Sequence, residues 1–238
     1  MKIKTIYLKK IYQIASKLHK DIYIFQDKDN LVFQSLQEGK AVLLEIILKT
    51  KTTYSEEPIV FELKKIYSFI SGLPDDEEIE FIKKDEYLLI KTKRYNRTVR
   101  LIIPDRPRFE IPDERKEEPL NLTHEFNIFA SQLKEAINAS KDISNDINFI
   151  IDKQNISIKR EDKTDEFNYI FNKNDIKIIK SPSKINNLYN ETYLNNVLSG
   201  LDGQLEIKTG DELPIKLINK PISNLLIKAM IAPLTRLE

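Results

Sequence analysis

The chain has 238 residues, 41% of them hydrophobic, which is enough to bury one large core or two cores of ordinary domain size. It has no cysteine, which excludes a disulfide framework, a thiolate metal site and a cysteine nucleophile and is typical of a reducing compartment. Its formal net charge is only +1, whereas a protein covered in phosphate contacts is expected to be more basic.

No apolar run approaches the roughly 20 residues that a membrane-spanning helix needs. The first residues, MKIKTIYLKK, lack the apolar segment of a secretory signal. We therefore expect a cytoplasmic or nuclear protein without membrane contact. Its balanced charge is locally segregated, because the first 20 residues contain six lysines and no acid.

The N-terminal residues predict a strand over 2–7 and a helix over 8–19. The predicted core face of the helix holds Ile11, Ile14, Ala15 and Leu18. At about 100° per residue, the opposite side carries Lys10, Gln13, Lys17 and Lys20, with Lys9 beside them. Such a lysine face is typical of a solvated surface, so one helix alone does not indicate a ligand.

Strands are then predicted over residues 21–26, 31–35 and 41–48. The stretch 62–91 follows, with a helical face at Leu63, Ile66, Tyr67 and Ile70. Gly72 and Pro74 end that helix, and residues 78–82 and 87–91 form a hairpin. One more strand is predicted over residues 97–103.

Residues 104–119 carry four prolines and dense charge, which excludes a central strand or a long helix. We interpret this stretch as an interdomain connection. The predicted organisation is therefore a domain over residues 1–104, a connecting loop over 105–119 and a second domain over 120–238.

The second half repeats the order of the first. It predicts a strand over 120–129, an N-cap at Ser131, a helix over 132–140 and strands over 146–151, 156–159 and 166–171. The outer side of this helix has Lys134, with Lys141 nearby. A helical face then recurs at Leu194, Val197, Leu198 and Leu201, followed by strands over 205–208, 213–218 and 225–231.

Each half thus reads strand, helix, three strands, helix and three strands. This doubling predicts an α+β fold of two similar tandem units, each with two helices on antiparallel sheet.

Signals of catalysis are weak. His19 and His124 are far apart and lack neighbours at metal-ligand spacing, and the five glycines form no phosphate-binding loop. The acidic runs lack the glycine and the spacing of a calcium loop. We expect no catalytic residue, no metal and no cofactor.

Four segments together resemble the DNA sliding clamps of the proliferating cell nuclear antigen (PCNA) family, in its archaeal and eukaryotic form. These are Leu213–Leu217, which is similar to a Pro-Leu-Lys strand; Met230–Pro233, similar to a closing apolar-Ala-Pro segment; Phe109–Pro112, similar to an anchor of the connecting loop; and Tyr189–Leu198, similar to the lead into the fourth helix. The resemblance covers nearly the whole chain.

This resemblance implies two DNA-clamp domains that form one arc of a trimeric ring, with sheets outside and helices lining the hole. It implies a non-enzymatic processivity factor that encircles duplex DNA without sequence preference and tethers replication and repair enzymes. The implied DNA-facing residues are Lys9, Lys10, Lys17, Lys20, Lys64, Lys65, Lys134 and Lys141. A clamp would be nucleoid-associated in an archaeal cytoplasm and nuclear in a eukaryote.

Two further surfaces are implied by the resemblance. The subunit interface would pair Arg97, Val99, Leu101 and Ile103 of one subunit with Glu166, Phe167, Tyr169 and Phe171 of the next. DNA polymerase, clamp loader, ligase and flap endonuclease would dock by short peptides in a pocket. The pocket would use Leu36, Lys40, Ala41, Leu43, Ile111, Pro112, Leu213, Pro214, Met230, Ala232 and Pro233.

The chain departs from the family pattern in its fourth helix, where residues 194–201 carry no basic side chain, and at Met230, where an aromatic residue is usual. These departures fit one specialised subunit of a heterotrimer or a viral clamp. Homotrimer and heterotrimer both remain open. The alternatives are a checkpoint-type or viral clamp relative with other clients, and an enzyme on an unrelated α+β fold.

Overall fold

The structure is a computed structural model that describes residues 1–37, 39, 41–50, 59–93, 95–100 and 120–235. The described residues contain four helices: α1 (Thr5–Ala15), α2 (Leu63–Ile70), α3 (Ala130–Asn138) and α4 (Glu191–Leu198). Each helix buries one apolar stripe, for example Leu8, Ile11 and Ile14 in α1.

The strands of the first half are β1 (Lys2–Lys4), β2 (Asp21–Asp27), β3 (Asn30–Leu36), β4 (Val42–Lys49), β5 (Ile59–Glu62), β6 (Glu78–Lys84), β7 (Tyr87–Lys91) and β8 (Asn96–Arg100). Those of the second half are β9 (His124–Phe129), β10 (Asp146–Ile151), β11 (Ile156–Glu161), β12 (Glu166–Ile170), β13 (Ile176–Lys180), β14 (Ile185–Asn190), β15 (Gln204–Thr209), β16 (Ile215–Ile222) and β17 (Leu225–Ile231).

All the strand pairs among the described residues are antiparallel, and they form three sheets. Two sheets have four strands, in the orders β1-β6-β7-β8 and β12-β11-β10-β14. The third sheet has nine strands, in the order β13-β9-β15-β16-β17-β4-β3-β2-β5. The helices and the inner sheet faces enclose one continuous core that includes residues of both halves, such as Ile14, Leu44, Leu198 and Ile227.

The sheets repeat between the two halves. The order β9-β15-β16-β17 corresponds to β1-β6-β7-β8, and β4-β3-β2-β5 corresponds to β12-β11-β10-β14. In the nine-stranded sheet these two types of unit are joined, because β17 pairs with β4 from Leu225 opposite Leu48 to Ile231 opposite Val42. The α+β fold with tandem repetition is therefore confirmed, and the halves share one sheet.

The predicted first strand and helix have wrong boundaries. The strand ends at Lys4, and the helix covers residues 5–15 instead of 8–19. The cause is Thr5, which is fully buried and donates both its backbone N–H (2.9 Å) and its hydroxyl (3.0 Å) to the carbonyl of Glu77. This anchor starts the helix earlier than the apolar pattern suggests.

The predicted start of the second half is also displaced. The strand begins at His124 instead of residue 120, and the helix begins at Ala130 instead of residue 132. Ser131 is consequently an exposed helical residue and not the N-cap; that position belongs to Phe129, whose N–H donates to Oε1 of Gln132 (3.4 Å). The N–H of Ala130 donates to the carbonyl of Gly203, a partner remote in sequence (2.8 Å).

The predicted count of three strands between the helices of each half is wrong as well. The structure adds β5 in the first half and β13 and β14 in the second. In β14 the buried face includes Asn187, which hides the alternation of apolar and polar residues. The structure describes residues 97–100 of the predicted strand 97–103, and they belong to β8 (Asn96–Arg100).

The predicted connecting loop over 105–119 lies outside the described residues, and the proposed domain boundaries stay a prediction. The same applies to the candidate site residues Lys40, Leu101, Ile103, Ile111 and Pro112.

Candidate nucleic-acid interface

The four helices form one layer. Helix α1 contacts both α2 and α4, and α4 contacts α3, so the order across the layer is α2-α1-α4-α3. Between α1 and α2 the rings of Tyr12 and Tyr67 stack at 3.8 Å. Between α1 and α4 the approach is closer, because a Cβ added at Gly200 would lie 2.1 Å from Cγ1 of Ile14. This packing brings the lysines of both halves onto one surface.

Two of the predicted DNA-facing lysines occupy equivalent places and are held in the same way. Lys9 is the fifth residue of α1, and Lys134 is the fifth residue of α3. The Lys9 ammonium donates to the carbonyl of Leu73 (2.7 Å), and that of Lys134 donates to the carbonyl of Leu201 (2.8 Å). Both carbonyls follow the second helix of their half, so these lysines tie the two helices together.

Acidic residues of the same loops add ion pairs. Asp75 lies 2.8 Å from the ammonium of Lys9. Asp202 contacts Lys10 of the first half and lies 3.9 Å from the ammonium of Lys134 of the second half. Lys9, Lys10 and Lys134 thus already have carboxylate partners on these two loops.

The remaining predicted lysines lie on the open side of the layer. Lys17, Lys20, Lys64, Lys65 and Lys141 are all exposed. The ammonium of Lys65 lies 3.0 Å from the carboxylate of Glu62, the N-cap of the same helix. A surface ion pair of this kind is weak. Near Lys17, a cleft of about 490 Å³ runs along α1, with Lys9, Lys10 and Tyr67 among its lining residues. Lys17 also lines this cleft, and its exposed ammonium suits contact with an extended polyanion.

The predicted partner pocket maps to the sheet face that points away from the helices. Leu36 lies opposite Leu43, and Leu43 lies opposite Met230, so β3, β4 and β17 place these side chains in one row. The row continues into Ala232, whose N–H donates to the carbonyl of Ala41 (2.8 Å). These residues, and also Leu213, Pro214 and Pro233, are half-buried. They are not plain core, and they form an apolar strip at the surface.

A buried polar network holds Leu213 beside this strip. The hydroxyl of Tyr189 donates to the carbonyl of Leu213 (2.9 Å) and lies 3.0 Å from the hydroxyl of Thr209. The amide of Asn187 donates to the carbonyl of Gly210 (2.6 Å) and accepts from the N–H of Glu212 (3.0 Å). Burial raises the pKa of the Tyr189 phenol, so the group stays a hydrogen-bond donor at neutral pH.

Among the described residues, β8 and β12 are two of the six edge strands of the three sheets. Strand β8 is one edge of its four-stranded sheet, and β12 is one edge of the other. The N–H of Phe171 donates inward to Ile156, so by alternation the N–H groups of Asn168 and Ile170 point outward. Ile170 is 61% exposed, and an apolar edge of this kind is rarely left free.

No protein-family model matches the sequence, and no curated protein sequence does. Solved structures do match. A. fulgidus PCNA, bound to the C-terminal region of FEN-1, superposes with a TM-score of 0.81 at 18% identity, covering 100% of this chain and 98% of that chain. PCNA from Thermococcus kodakaraensis gives a TM-score of 0.81 at 20% identity, with 98% of each chain covered.

The chain has the PCNA-type sliding clamp fold. A third match extends the comparison to assemblies of unlike subunits: the PCNA2–PCNA3 complex from Sulfolobus tokodaii gives a TM-score of 0.77 at 13% identity, with 98% of each chain covered. All three matches span both halves, so the clamp fold accounts for the whole described architecture.

Other kinds of site find no support in the part of the chain that the structure describes. No group of His, Asp and Glu residues there is arranged to hold a metal ion. His124 is fully buried, and its ring lies between the hydroxyl of Thr123 (2.9 Å) and the carbonyl of Ser183 (2.8 Å), as a structural residue would. Among the same residues, no helix has the length and apolarity to cross a membrane.

The sequence predicted the lysines of the helix layer but missed their carboxylate partners. Asp202 and Asp75 each follow a helix end and read as ordinary loop residues. Their roles depend on which helices become neighbours, although the equivalent helix positions of Lys9 and Lys134 would have been detectable once the doubling was aligned. The fully buried Arg160, which pairs with Glu191 at 2.5 Å, was missed for the same reason.

Proposed function

We propose that this protein is one subunit of a sliding clamp, a ring that encircles duplex DNA and tethers replication and repair enzymes without catalysing a reaction itself. The observation that carries the proposal is the joint between β4 and β17, because the strands equivalent to these two, β12 and β8, each have one edge without a partner strand among the described residues. The PCNA-type fold over the whole chain supports the same proposal.

The counterparts of the joint follow from the repeated sheets. β8 occupies the place of β17, and β12 occupies the place of β4. Within the chain, β17 pairs with β4. The equivalent strands β8 and β12 are instead edges of two separate sheets. A second copy can therefore add its β12 to β8 by the same antiparallel pairing, and head-to-tail repetition closes into a ring when the rotation closes. Three subunits is the number that the clamp resemblance implies.

The internal joint also predicts a register for the joint between subunits. Ala232 bonds to Ala41 inside the chain, and the equivalent positions are Arg100 and Thr164. Thr98 then lies opposite Glu166, and Asn96 lies opposite Asn168. The charges support this arrangement, because β8 carries Arg97 and Arg100, while the end of β12 carries Glu166 beside Asp162 and Asp165.

In such a ring the helix layer would face the DNA. Lys17, Lys20, Lys64 and Lys141 are exposed lysines that could contact phosphates without reading bases. Because lysine is a flexible point charge, such contacts favour no single position along the duplex and so permit sliding. A closed ring stays on DNA by topology, which is compatible with a net charge of +1.

The apolar strip around Leu43 and Met230 is the proposed docking site for client enzymes. A peptide of the pattern Gln-x-x-apolar-x-x-aromatic-aromatic would place its aromatic rings there. We expect a fluorescent peptide of this kind to bind the protein, and Leu43→Asp to abolish binding because it puts a carboxylate on the apolar contact. Equal binding by the variant would remove this site from the proposal.

Assembly tests the central claim. Proline in place of Asn168 removes an outward N–H of β12 but keeps the inward bonds to β11, so we expect the chain to fold and to lose self-association. Light scattering on a sizing column would give the mass, and circular dichroism would verify the fold. Asn168→Ala, which keeps the N–H, is the matched control and should assemble like the parent.

A monomeric parent protein over the whole concentration range would contradict self-assembly. Mixing with other clamp subunits of its source would then decide whether the free edges pair with unlike partners, as in an assembly of the PCNA2–PCNA3 kind. An assembled Asn168→Pro variant of unchanged mass would exclude β12 as the contact edge.

A further inference from the structure

Asp202 lies where the two halves of the helix layer meet, and its carboxylate reaches both. One oxygen contacts Lys10 of α1, and the other lies 3.9 Å from the ammonium of Lys134 of α3. These two lysines belong to different halves of the chain. Asp202 is thus the acid that links them across the layer.

The position of Asp202 is held from several sides. Its carbonyl accepts from the amide of Asn219 (2.8 Å), and the carbonyl of the next residue, Gly203, accepts from the N–H of Ala130 (2.8 Å). Gly203 has a φ of +69°, which favours glycine, and Gly200 leaves no room for a side chain against Ile14. The loop is packed between α1, α3 and β16, which restricts how far its backbone can move the carboxylate away.

The exposures show which charge faces the solvent. The side chain of Asp202 is 64% exposed, whereas that of Lys10 is 12% exposed. The carboxylate therefore covers the ammonium, and a phosphate approaching Lys10 from solvent meets the carboxylate first. At this place the carboxylate is the most exposed of the three charged groups, although the sequence carries two lysines.

Among the described residues of the first half there is no equivalent bridge. Asp75, on the corresponding loop, pairs with Lys9 of its own half. The residue of α3 that corresponds to Lys10 is Glu135, the sixth residue of its helix, so no second lysine of this kind exists. The arrangement at Asp202 is specific to the joint between the two halves.

We propose that Asp202 occupies the place of a phosphate and keeps Lys10 and Lys134 out of DNA contact, so that it lowers the affinity of the ring for duplex DNA. This inference rests on the proposed function, because it requires the helix layer to face the DNA. Asp202 is a positioning residue here, since it acts through the two lysines. It favours rapid sliding over tight binding.

The test is duplex binding by the full chain, assembled as shown by light scattering, with a fluorescent 30-base-pair DNA at a series of KCl concentrations. We expect Asp202→Asn to tighten Kd about three- to tenfold at low salt. We also expect the slope of log K against log[KCl] to steepen by about 1 to 2, because each newly contacted phosphate contributes about 0.9. Asp211→Asn makes the same charge change at an exposed turn residue away from this joint and should leave the slope unchanged.

A double-mutant cycle separates this role from a purely structural one. In the parent, Lys10→Ala should change Kd less than twofold, because Asp202 is already paired with the Lys10 ammonium. In the Asp202→Asn background, Lys10→Ala should reverse most of the gain in DNA affinity. Asp202→Glu should behave like the parent. A cycle without coupling, an unchanged slope or weaker binding by Asp202→Asn would overturn the inference.

Lys17→Glu distinguishes this inference from the proposal on which it rests. Weaker DNA binding by Lys17→Glu, together with unchanged binding by Asp202→Asn, would refute only the role of Asp202. If neither variant changes duplex binding, the helix layer does not face DNA, and both proposals are refuted. A melting temperature for each variant would verify that it is folded at the assay temperature.

Discussion

The two helix pairs have the same topology but different charges. Helices α1 and α2 carry four lysines and no acid, whereas α3 carries Lys134 beside Glu135, and α4 carries Glu191 and no basic residue. A ring holds DNA by enclosing it, so its parts need not contribute equally to phosphate contact. The two halves therefore share a topology, whereas the basic side chains of the helices lie mainly in the first half.

The cores of the halves differ in a corresponding way. Arg160 is the penultimate residue of β11 and is fully buried, whereas the penultimate residue of β3 is Ser35. Glu191, its partner, begins α4, where α2 begins with Leu63. In β14, Asn187 and Tyr189 are buried at positions that β5 fills with Ile59 and Phe61. The second half therefore has buried polar bonds at positions where the first half has the small Ser35 and the apolar Leu63, Ile59 and Phe61.

The largest effect is expected from breaking the buried ion pair. The guanidinium of Arg160 donates to Glu191 (2.5 Å), to the carbonyl of Ser144 (2.5 Å) and to that of Ile137 (2.6 Å). Glu191→Gln leaves a buried charge without its counter-ion, so we expect unfolding in urea to show a loss of about 3–5 kcal/mol.

The uncharged pair of the first half, Ser35 and Leu63, suggests the control. Arg160→Met combined with Glu191→Leu removes both charges, and we expect the double variant to recover at least half of the loss. Full recovery is not expected, because the carbonyls of Ile137 and Ser144 lose their donor. A double variant less stable than Glu191→Gln would contradict this account of the pair.

The second expected effect is on DNA binding and concerns the charge difference directly. Lys17 and Lys64 lie in the basic half, and reversing both to Glu should weaken duplex binding at least tenfold and flatten its salt dependence. Lys141 is an exposed lysine of the second half, and Lys141→Glu should weaken duplex binding by a smaller factor per charge. Equal effects per charge, measured by fluorescence anisotropy, would show that the two halves contribute alike.

A smaller effect is expected from the polar network that holds Leu213. Tyr189→Phe removes the donor to the Leu213 carbonyl and a partner of Thr209 and Asn187, at a cost of about 1–3 kcal/mol. We expect a matching drop in the urea midpoint and weaker client-peptide binding. Tyr193→Phe, in a half-buried tyrosine of α4, is the control. Equal losses in both variants would contradict a special role for the network.

The smallest effect is expected at Asp21, the first residue of β2, in contrast to Asp146, which begins β10 and is exposed. Burial is the main cause that raises the pKa of Asp21 above 3.8, and one of its oxygens is buried without a hydrogen-bond partner. A raised pKa in the folded state means that stability is lost as pH rises above about 3.8.

Asp21→Asn should therefore stabilise the protein at pH 7. The gain should be about 0.5 kcal/mol or less, because the group is only partly buried and solvent screens its charge. It should vanish near pH 3, where the parent carboxyl is protonated in both states. Asp146→Asn should show no gain at either pH in thermal melts, and a gain equal to that of Asp21→Asn would refute the burial argument.

Helices and hairpins with regular apolar spacing were predictable, as α2 and the β6–β7 hairpin show, because their periodicity follows from local geometry. Boundaries set by distant partners were not. The early starts of α1 and α3 depend on carbonyls of Glu77 and Gly203, and β14 was missed because it buries Asn187. Of the candidate site, the sequence predicted the lysines but not which of them carry an internal partner.

The amino-acid sequence by itself determined the doubled order of elements, the apolar face of each helix and the absence of cysteine chemistry, since these depend on residue type and spacing along the chain. Only the tertiary structure decided that β4 and β17 join the halves into one sheet, that β8 and β12 are edge strands among the described residues and that Asp202 lies over Lys10. The physical reason is that strand pairing and ion pairing depend on which segments become neighbours in space, and the spacing of residues in the chain does not specify this.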